Sequence, residues 1–231
     1  AGIQKTTLLD YPGKVATMIF TPGCNMRCHY CYNDQFVIPE KLQNVMKDLV
    51  SETAFFNFLQ ARKHLIEGVV ICGGEPTIQA DLIPFIQAIK EQTGLCVKLD
   101  TNGREPHMVQ QLIDQHLVDY VAMDVKYAFD DYERLVGVKE DMNPYQEMVK
   151  TLLNSEIDYE FRTTVIKGYH TNAVLESIGE MINGAKRYVL QQFLPSRTLN
   201  PHFMGSGFSL EEMNNLKLLM SPYTQECLVR G

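Results

Sequence analysis

Short apolar runs rich in β-branched residues alternate along the chain with longer amphipathic stretches. The runs have the length of strands and the stretches have the length of helices. The predicted strands are Val15–Phe20, Gly68–Cys72, Cys96–Asp100, Tyr120–Val125, Tyr159–Val165 and Arg187–Phe193. The predicted helices are Ser51–Ile66, Leu82–Gln92, Pro106–Gln115, Pro144–Ser155, Thr171–Ile182 and Ser209–Ser221. Ser51, Thr171 and Ser209 are typical N-cap residues. Six strand–helix units in series predict an α/β protein with a parallel sheet.

Such a series forms either a doubly wound open sheet or a closed or partial barrel, and periodicity alone does not choose between them. Polar and glycine-rich clusters follow three of the strands directly. These clusters are Thr21–Cys24, Gly73–Pro76 and Thr101–Gly103. In a parallel barrel the C-terminal strand ends share one rim, where an active site is assembled from several strands. The placement of the clusters therefore favours a barrel.

Length and charge exclude several classes of protein. A chain of 231 residues predicts one compact domain with an ample core. The net charge of −7 argues against a general nucleic-acid binder. No apolar run approaches the roughly 20 residues of a membrane span, because Arg62, Lys63, His64 and Glu67 interrupt the most hydrophobic stretch. Residues 1–10 lack the layout of a signal peptide, so we expect a cytoplasmic protein with no membrane partner.

Three of the six cysteines lie close together, at Cys24, Cys28 and Cys31, in the pattern CxxxCxxC. The other three are scattered singly at Cys72, Cys96 and Cys227, and we expect them to be packing residues. A structural zinc site needs four protein ligands, and a catalytic zinc takes three ligands and a water. A cubane iron–sulfur cluster held by three thiolates leaves one iron open to a small ligand. Zinc and a group of cysteines without a ligand remain alternatives.

The cysteine pattern, with Tyr30 before its last cysteine and Gly73-Gly74-Glu75-Pro76 after the next strand, resembles that of the radical S-adenosylmethionine (SAM) enzymes. The resemblance implies a [4Fe–4S] cluster on the three cysteines and SAM on the fourth iron. An electron then cleaves SAM to methionine and a 5′-deoxyadenosyl radical. Tyr30 matches a position near the adenine. Residues Gly73–Pro76 match the stretch that receives the methionine ammonium, where Glu75 adds charge or holds the turn.

Further segments resemble the activases of glycyl radical enzymes, above all those that serve anaerobic ribonucleotide reductase. These segments are Gln4–Lys14, Leu99–Gly103 and Met123–Lys126. The resemblance implies a partial (β/α)6 barrel of the TIM type, one radical SAM core domain over residues 1–231. It implies abstraction of a hydrogen atom from a glycine of a partner enzyme. It also implies a flavodoxin or ferredoxin-type protein as the electron donor.

Asp100 and Asp124 each end a predicted strand on the rim. Two neighbouring carboxylates repel each other unless a cation or donor lies between them, so something positive is expected there. The resemblance implies a monovalent cation, Na⁺ or K⁺, held by Asp100, Thr101, the Ala122 carbonyl and Asp124. The alternative is that Asp100 caps the following turn and that Asp124 forms a surface pair with Lys126.

The remaining candidate residues come from the same resemblance. Lys126 and Arg162 match positions that contact the carboxylate or ribose side of the cofactor, although each could instead form an ion pair at the rim. Asn102 belongs to the same cofactor-binding segment as Asp100. Asp10, in Asp-Tyr-Pro-Gly, matches a segment near the incoming glycyl loop of the partner, although Tyr11 and Tyr32 depart from the pattern of the formate-lyase activases.

Two other functions compete with the activase. One is a radical SAM enzyme that acts on a small metabolite, similar to the 7-carboxy-7-deazaguanine synthases. The other is an iron–sulfur or zinc module that senses metal or redox state. Such a module would not require the segment Gly73–Pro76. Activation of a different glycyl radical enzyme is a third possibility within the same chemistry.

Overall fold

The computed structural model describes residues 2–139, 141–195 and 198–231. The chain divides into two compact units. The first comprises the residues up to Asn25, Asn33–Thr101 and His107–Val121. The second comprises Met26–Tyr32, Asn102–Pro106 and Ala122–Gly231. The prediction of a single domain over residues 1–231 stays a prediction.

Strands of the first unit pair in sequence order. They are β1 (Gly2–Thr7), β2 (Ala16–Thr21), β3 (Gly68–Gly73), β4 (Cys96–Thr101) and the first residues of β5 (Tyr120–Asp124). β1 is antiparallel to β2, whereas β2, β3 and β4 are parallel. The helices are α1 (Asp34–Val37), α2 (Pro39–Val45), α3 (Glu52–Arg62), α4 (Leu82–Thr93) and α5 (Pro106–Asp114). Val69, Val70 and Ile71 are fully buried, as expected for a parallel strand covered on both faces.

The second unit continues the same strand order through the end of β5. Its further strands are β6 (Asp158–Val165), β7 (Tyr188–Gln192) and β8 (Cys227–Arg230), which are parallel to one another. Its helices are α6 (Glu133–Val136), α7 (Asn143–Leu153), α8 (Asn172–Met181) and α9 (Leu210–Met220). Within the described ranges, no helix combines the length and the apolar character that a membrane crossing requires.

The six predicted strands are β2 to β7, each within one residue of its predicted ends. The three predicted N-caps are confirmed, and Ser209 also forms a capping box with Glu212. One helix differs from its prediction, because α3 ends at Arg62 rather than Ile66. There the backbone turns, with the Leu65 amide donating to the Arg62 carbonyl, and leads into β3. β1, β8 and the short helices α1, α2 and α6 were not predicted.

Candidate functional site

In the first unit, three site segments follow the C-terminal ends of parallel strands. Cys24 follows β2, the segment Gly73–Pro76 follows β3, and Asp100 and Thr101 end β4. Thr21 of β2 is paired with Gly73 of β3, so the two strands end side by side. The sheet register therefore brings these predicted residues to one edge of the unit.

Gly73 and Gly74 form a backbone cradle against the segment that leads to Cys24. Gly73 has φ of +120°, and a Cβ placed there would lie 2.2 Å from the Thr21 amide nitrogen. A Cβ on Gly74 would lie 1.8 Å from the Gly23 carbonyl oxygen. The Gly74 amide donates to the Thr21 carbonyl at 2.9 Å, and the Glu75 amide donates to the Gly23 carbonyl at 2.8 Å. Only glycine leaves room for this approach of the backbones.

Glu75 is a buried carboxylate that holds the turn after β3. Its Oε1 accepts hydrogen bonds from the Thr77 amide at 3.1 Å and from the Thr77 hydroxyl at 2.6 Å. The Thr101 hydroxyl donates to the same oxygen at 2.8 Å. Hydrogen bonds to an ionised acceptor are stronger than those between neutral groups. Of the two roles predicted for Glu75, the geometry favours holding the turn, which it links to the end of β4.

Asp100 has a cationic neighbour on its own strand. The ammonium group of Lys98 contacts Asp100 Oδ1, and the Lys98 side chain is fully buried. The Lys98 Nζ also lies 5.7 Å from the centre of the Tyr120 ring, within the range of a cation–π contact. Asp100 therefore has a positive neighbour in the first unit, a lysine of this chain, while the positive group predicted between Asp100 and Asp124 stays a prediction.

Asp10 lies at the opposite end of the same strands. It accepts a hydrogen bond from the Thr7 hydroxyl, and Thr7 is paired with Ala16 at the start of β2. Ala16 is in turn paired with Gly68 at the start of β3. Asp10 is therefore not brought together with Cys24, and its predicted role toward the partner loop stays a prediction.

In the second unit, the loop Met26–Tyr32 carries the other two predicted cluster ligands, Cys28 and Cys31. The Arg27 amide donates to the Val136 carbonyl at 3.0 Å, and the His29 amide donates to the Leu135 carbonyl at 3.0 Å. The Cys31 amide donates to the Cys28 carbonyl at 3.1 Å, which closes a tight turn between the two thiols. Helix α6 thus fixes the backbone on which these cysteines are displayed.

Tyr30, the predicted neighbour of the adenine, is 7% exposed and its ring centre lies 6.3 Å from that of Phe203. Burial raises the pKa of its phenol well above the usual value, although the Lys126 charge opposes the shift. Tyr30 therefore stays neutral and offers an aromatic face with a hydroxyl group, which suits a packing role beside a planar ligand.

Asp124, Lys126 and Arg162 form one ion cluster in the second unit. The Lys126 Nζ lies 3.1 Å from Asp124 Oδ2, and the Arg162 Nε donates to Asp124 Oδ1 at 2.9 Å. Burial by itself would raise the pKa of the Asp124 carboxyl, but the charges of Arg162 and Lys126 outweigh it and lower the pKa to about 2. Asp124 is therefore ionised at neutral pH, and the cluster carries a net positive charge.

His170 is a supporting residue that was not among the predicted site residues. Its Nδ1 accepts from the Ile166 amide at 3.0 Å, and its Nε2 lies 3.1 Å from the Lys126 carbonyl oxygen. Since Nδ1 is the acceptor, Nε2 carries the proton and donates to Lys126. Burial lowers the pKa of His170 to about 4, so the ring is neutral. The Tyr132 hydroxyl accepts from the Lys126 amide at 3.3 Å, so the backbone of Lys126 is held on both sides.

Two further predicted residues have local backbone roles in the second unit. Asn102 is buried and its Oδ1 accepts from the Arg104 amide at 3.0 Å, which closes the turn after β4. Ala122 is fully buried inside β5, and its carbonyl oxygen is the only atom that it could offer to a cation. The predicted monovalent cation stays a prediction.

The thiol chemistry fits an iron–sulfur cluster. None of the six cysteines, all of which the structure describes, is in a disulfide, and three of them lie within eight residues at Cys24, Cys28 and Cys31. In the described part of the chain, no group of three or more His, Cys, Asp or Glu side chains converges to hold a single metal ion. In a cubane cluster each thiolate binds a different iron, so the three sulfurs need not converge on one point. Three thiolates in a CxxxCxxC loop are the donor set that a cubane cluster with one open iron uses.

The other cysteines are packing residues or lie in strands. Cys227 is buried in β8, and burial raises the pKa of its thiol to about 11, so it stays protonated. Cys72 is half-buried in β3 and Cys96 is half-buried at the start of β4. Neither of them lies in the loop that carries the predicted cluster ligands.

Comparison with protein families gives a match to the Radical SAM superfamily over residues 18–180. The chain is 30% identical to the "Putative glycyl-radical enzyme activating enzyme MJ1227" of Methanocaldococcus jannaschii, with 100% of this chain and 95% of that protein covered. It is 28% identical to the pyruvate formate-lyase 1-activating enzyme of Escherichia coli, with 88% of this chain and 83% of that protein covered.

Solved structures are similar in fold. SuiB of Streptococcus suis bound to S-adenosylmethionine superposes with a TM-score of 0.70 at 13% identity, over 93% of this chain. The chain spans about half the length of SuiB, since 50% of that chain is covered. Coproporphyrinogen III oxidase of E. coli, which is a radical SAM enzyme, gives a TM-score of 0.50 at 15% identity, with 75% of this chain and 43% of that chain covered. The predicted fold class, an α/β fold of the partial TIM-barrel type, is confirmed by these similarities.

Proposed function

Since the chain belongs to the Radical SAM superfamily, an enzyme superfamily that uses a [4Fe–4S] cluster and S-adenosylmethionine, we propose that it activates a glycyl radical enzyme. The proposed reaction is the removal of one hydrogen atom from the Cα of a glycine in the partner. The full-length relatives whose names describe glycyl-radical enzyme activation support this choice over action on a metabolite.

We assign the cluster to Cys24, Cys28 and Cys31. When bound there, the cluster would supply the one electron that reductive cleavage of SAM needs, and the cleaved cofactor would supply the acceptor of the glycine hydrogen atom. The α6 carbonyls orient the loop that bears Cys28 and Cys31. The observation that carries the proposal is the cradle in which Gly73 lies against Thr21 and Gly74 lies against Gly23, the residue before Cys24, because a simple metal module does not need it.

The described residues include groups complementary to the ammonium and to the carboxylate of the cofactor's methionine end. We propose that the backbone of Gly73–Pro76 receives its ammonium group, with Glu75 holding the turn and Asp100, Thr101 and Asn102 shaping the adjacent segment. We propose that Lys126 and Arg162 receive its carboxylate. The ion cluster of Asp124, Lys126 and Arg162 has a net positive charge, which favours binding of an anion. Tyr30 offers its ring to the adenine.

The partner that we propose first is anaerobic ribonucleotide reductase, on the resemblance of residues 4–33 to the activases of that enzyme. Pyruvate formate-lyase is the second candidate, because the chain is 28% identical to the activating enzyme of that protein. A flavodoxin or ferredoxin-type protein is the proposed electron donor, and dithionite can replace it in an assay.

The test is anaerobic. The chain is reconstituted with iron and sulfide, reduced, and mixed with SAM and each of the two partners in turn. Electron paramagnetic resonance then records the spectrum of the partner. A doublet from a glycyl radical is expected with the wild type and is absent with Cys28→Ala. Cys96→Ala is the matched control, since it removes a thiol that lies outside the loop of cluster ligands.

Each outcome has a definite meaning. A doublet with one partner supports the activase and identifies its substrate. Formation of 5′-deoxyadenosine without a doublet from either partner keeps the SAM chemistry and rejects both partners. Turnover of SAM by Cys28→Ala at the wild-type rate contradicts the cluster assignment itself.

A further inference from the structure

Lys98 is a fully buried lysine in the middle of a strand. Its side chain points to the same face of β4 as that of Asp100, because residues two apart on a strand share a face. Its ammonium group contacts Asp100 Oδ1 and lies over the Tyr120 ring. A buried ammonium group is costly unless a counter-charge compensates it, and Asp100 supplies that charge.

The pair lies directly before the segment to which cofactor binding is assigned. Thr101, the residue after Asp100, donates its hydroxyl hydrogen bond to Glu75 in the turn after β3. The position of Asp100 is therefore coupled through one peptide bond to the position of this turn. A cation held at Asp100 would therefore hold both Asp100 and the turn after β3 in place.

The second unit provides its own cations in the same way. Asp124, at the end of β5, is paired with Lys126 at 3.1 Å and with Arg162 at 2.9 Å. Asp100 and Asp124 thus each have a cationic neighbour among the side chains of this chain.

We propose that Lys98 is the resident counter-ion of Asp100, and that it holds the Asp100–Thr101 segment in its cofactor-binding conformation without an inorganic monovalent cation. An ammonium group on a covalent stem cannot dissociate, and it repels a second cation at the same carboxylate. Lys98 is then a positioning residue. This inference rests on the cofactor-binding part of the proposed function, and it is independent of which protein receives the radical.

The experiment compares the wild type with Lys98→Met in NaCl, KCl and choline chloride at equal ionic strength. Two quantities are measured: the midpoint of thermal unfolding of the chain without its cluster, and the dissociation constant of SAM for the reconstituted chain. Lys90→Met is the matched control, because it breaks a lysine–aspartate pair with Asp119 that is partly exposed in the same unit.

The wild type and Lys90→Met are expected to give the same SAM affinity in all three salts. In choline chloride, Lys98→Met is expected to bind SAM about tenfold more weakly than the wild type, because the Asp100–Thr101 segment has lost the ion contact that holds it. Na⁺ or K⁺ is expected to restore part of this affinity and to raise the unfolding midpoint of the variant.

Two results would overturn the proposal. One is a wild type whose SAM affinity falls when choline replaces Na⁺ and K⁺. The other is a folded Lys98→Met that depends on these cations no more than the wild type does. If Lys98→Met does not fold, the wild-type comparison decides alone. Loss of the glycyl radical with intact SAM binding would contradict the proposed function and leave the role of Lys98 standing.

Discussion

The hydroxyl of Thr101 donates a 2.8 Å hydrogen bond to Glu75 Oε1, which joins the end of β4 to the turn that follows β3. The same carboxylate oxygen accepts two hydrogen bonds from Thr77. The residues that the sequence marks as a cofactor-binding motif and the polar residues at the next strand end are therefore one hydrogen-bonded unit. A substitution of Thr101 or of Glu75 should therefore change the position of the other residue.

Replacement of Glu75 by Ala is expected to lower the free energy of unfolding by about 2 to 4 kcal/mol, because it leaves buried donors of Thr77 and Thr101 without their acceptor. Urea unfolding measures the loss. SAM binding should weaken as well, since the turn is no longer held.

Thr101→Val removes one of the donors to Glu75 and leaves the carboxylate in place. It removes the 2.8 Å hydrogen bond to Glu75, and loss of that bond should cost about 1 kcal/mol. Equal stability losses for Thr101→Val and Glu75→Ala would argue against Glu75 as the common acceptor of the turn.

Gly74→Ala is expected to destabilise the chain by about 3 kcal/mol, because its Cβ would lie 1.8 Å from the Gly23 carbonyl oxygen and the backbone would have to shift. Gly2→Ala is the matched control, since a Cβ there meets its nearest side chain at 3.6 Å, an ordinary contact. Chemical unfolding of both variants checks the prediction, and a Gly74→Ala protein as stable as Gly2→Ala contradicts the cradle.

His170 predicts a specific dependence of stability on pH. Burial lowers its pKa to about 4 in the folded chain, from 6.5 when unperturbed. Between these values the unfolded chain binds a proton that the folded chain does not, so stability falls as pH decreases. The contribution of His170 should amount to a loss of about 2 kcal/mol between pH 7 and pH 5.

The measurement for His170 is urea unfolding at both pH values. His170→Asn should lack this part of the pH dependence, although it is less stable than the wild type at pH 7. His64→Gln, at an exposed histidine, should keep the full dependence. A wild type and a His170→Asn variant with the same pH dependence would show that the ring is not held neutral.

The central strands and the long helices could be predicted from the sequence because their signals are local. Most apolar residues of the predicted strands are buried, and each predicted N-cap opens a periodic stretch. β1 escaped prediction because three consecutive residues of its six, Gln4, Lys5 and Thr6, are exposed, so it shows no alternation of apolar and polar positions. β8 has only four residues, too few for a clear alternation.

Spacing also sufficed for the cofactor motifs, since Cys24, Cys28, Cys31 and Gly73–Pro76 are contiguous patterns, and the superfamily that they predict is confirmed. The supporting contacts were not predictable. Lys98 contacts Asp100 from two residues earlier on β4, but its burial depends on the packing around that strand, and His170 holds Lys126 through loop packing that no local pattern encodes. The roles assigned to individual residues toward the cofactor stay predictions.

The most direct test of the activase follows the hydrogen atom itself. The partner enzyme is produced with glycine in which deuterium replaces both hydrogens on the Cα. It is then mixed anaerobically with the reconstituted chain and SAM. Mass spectrometry of the 5′-deoxyadenosine should show one transferred deuterium, with none when Cys28→Ala replaces the wild type. Product that contains only protium, from a partner that nevertheless binds the chain, would contradict abstraction from a glycine of that partner.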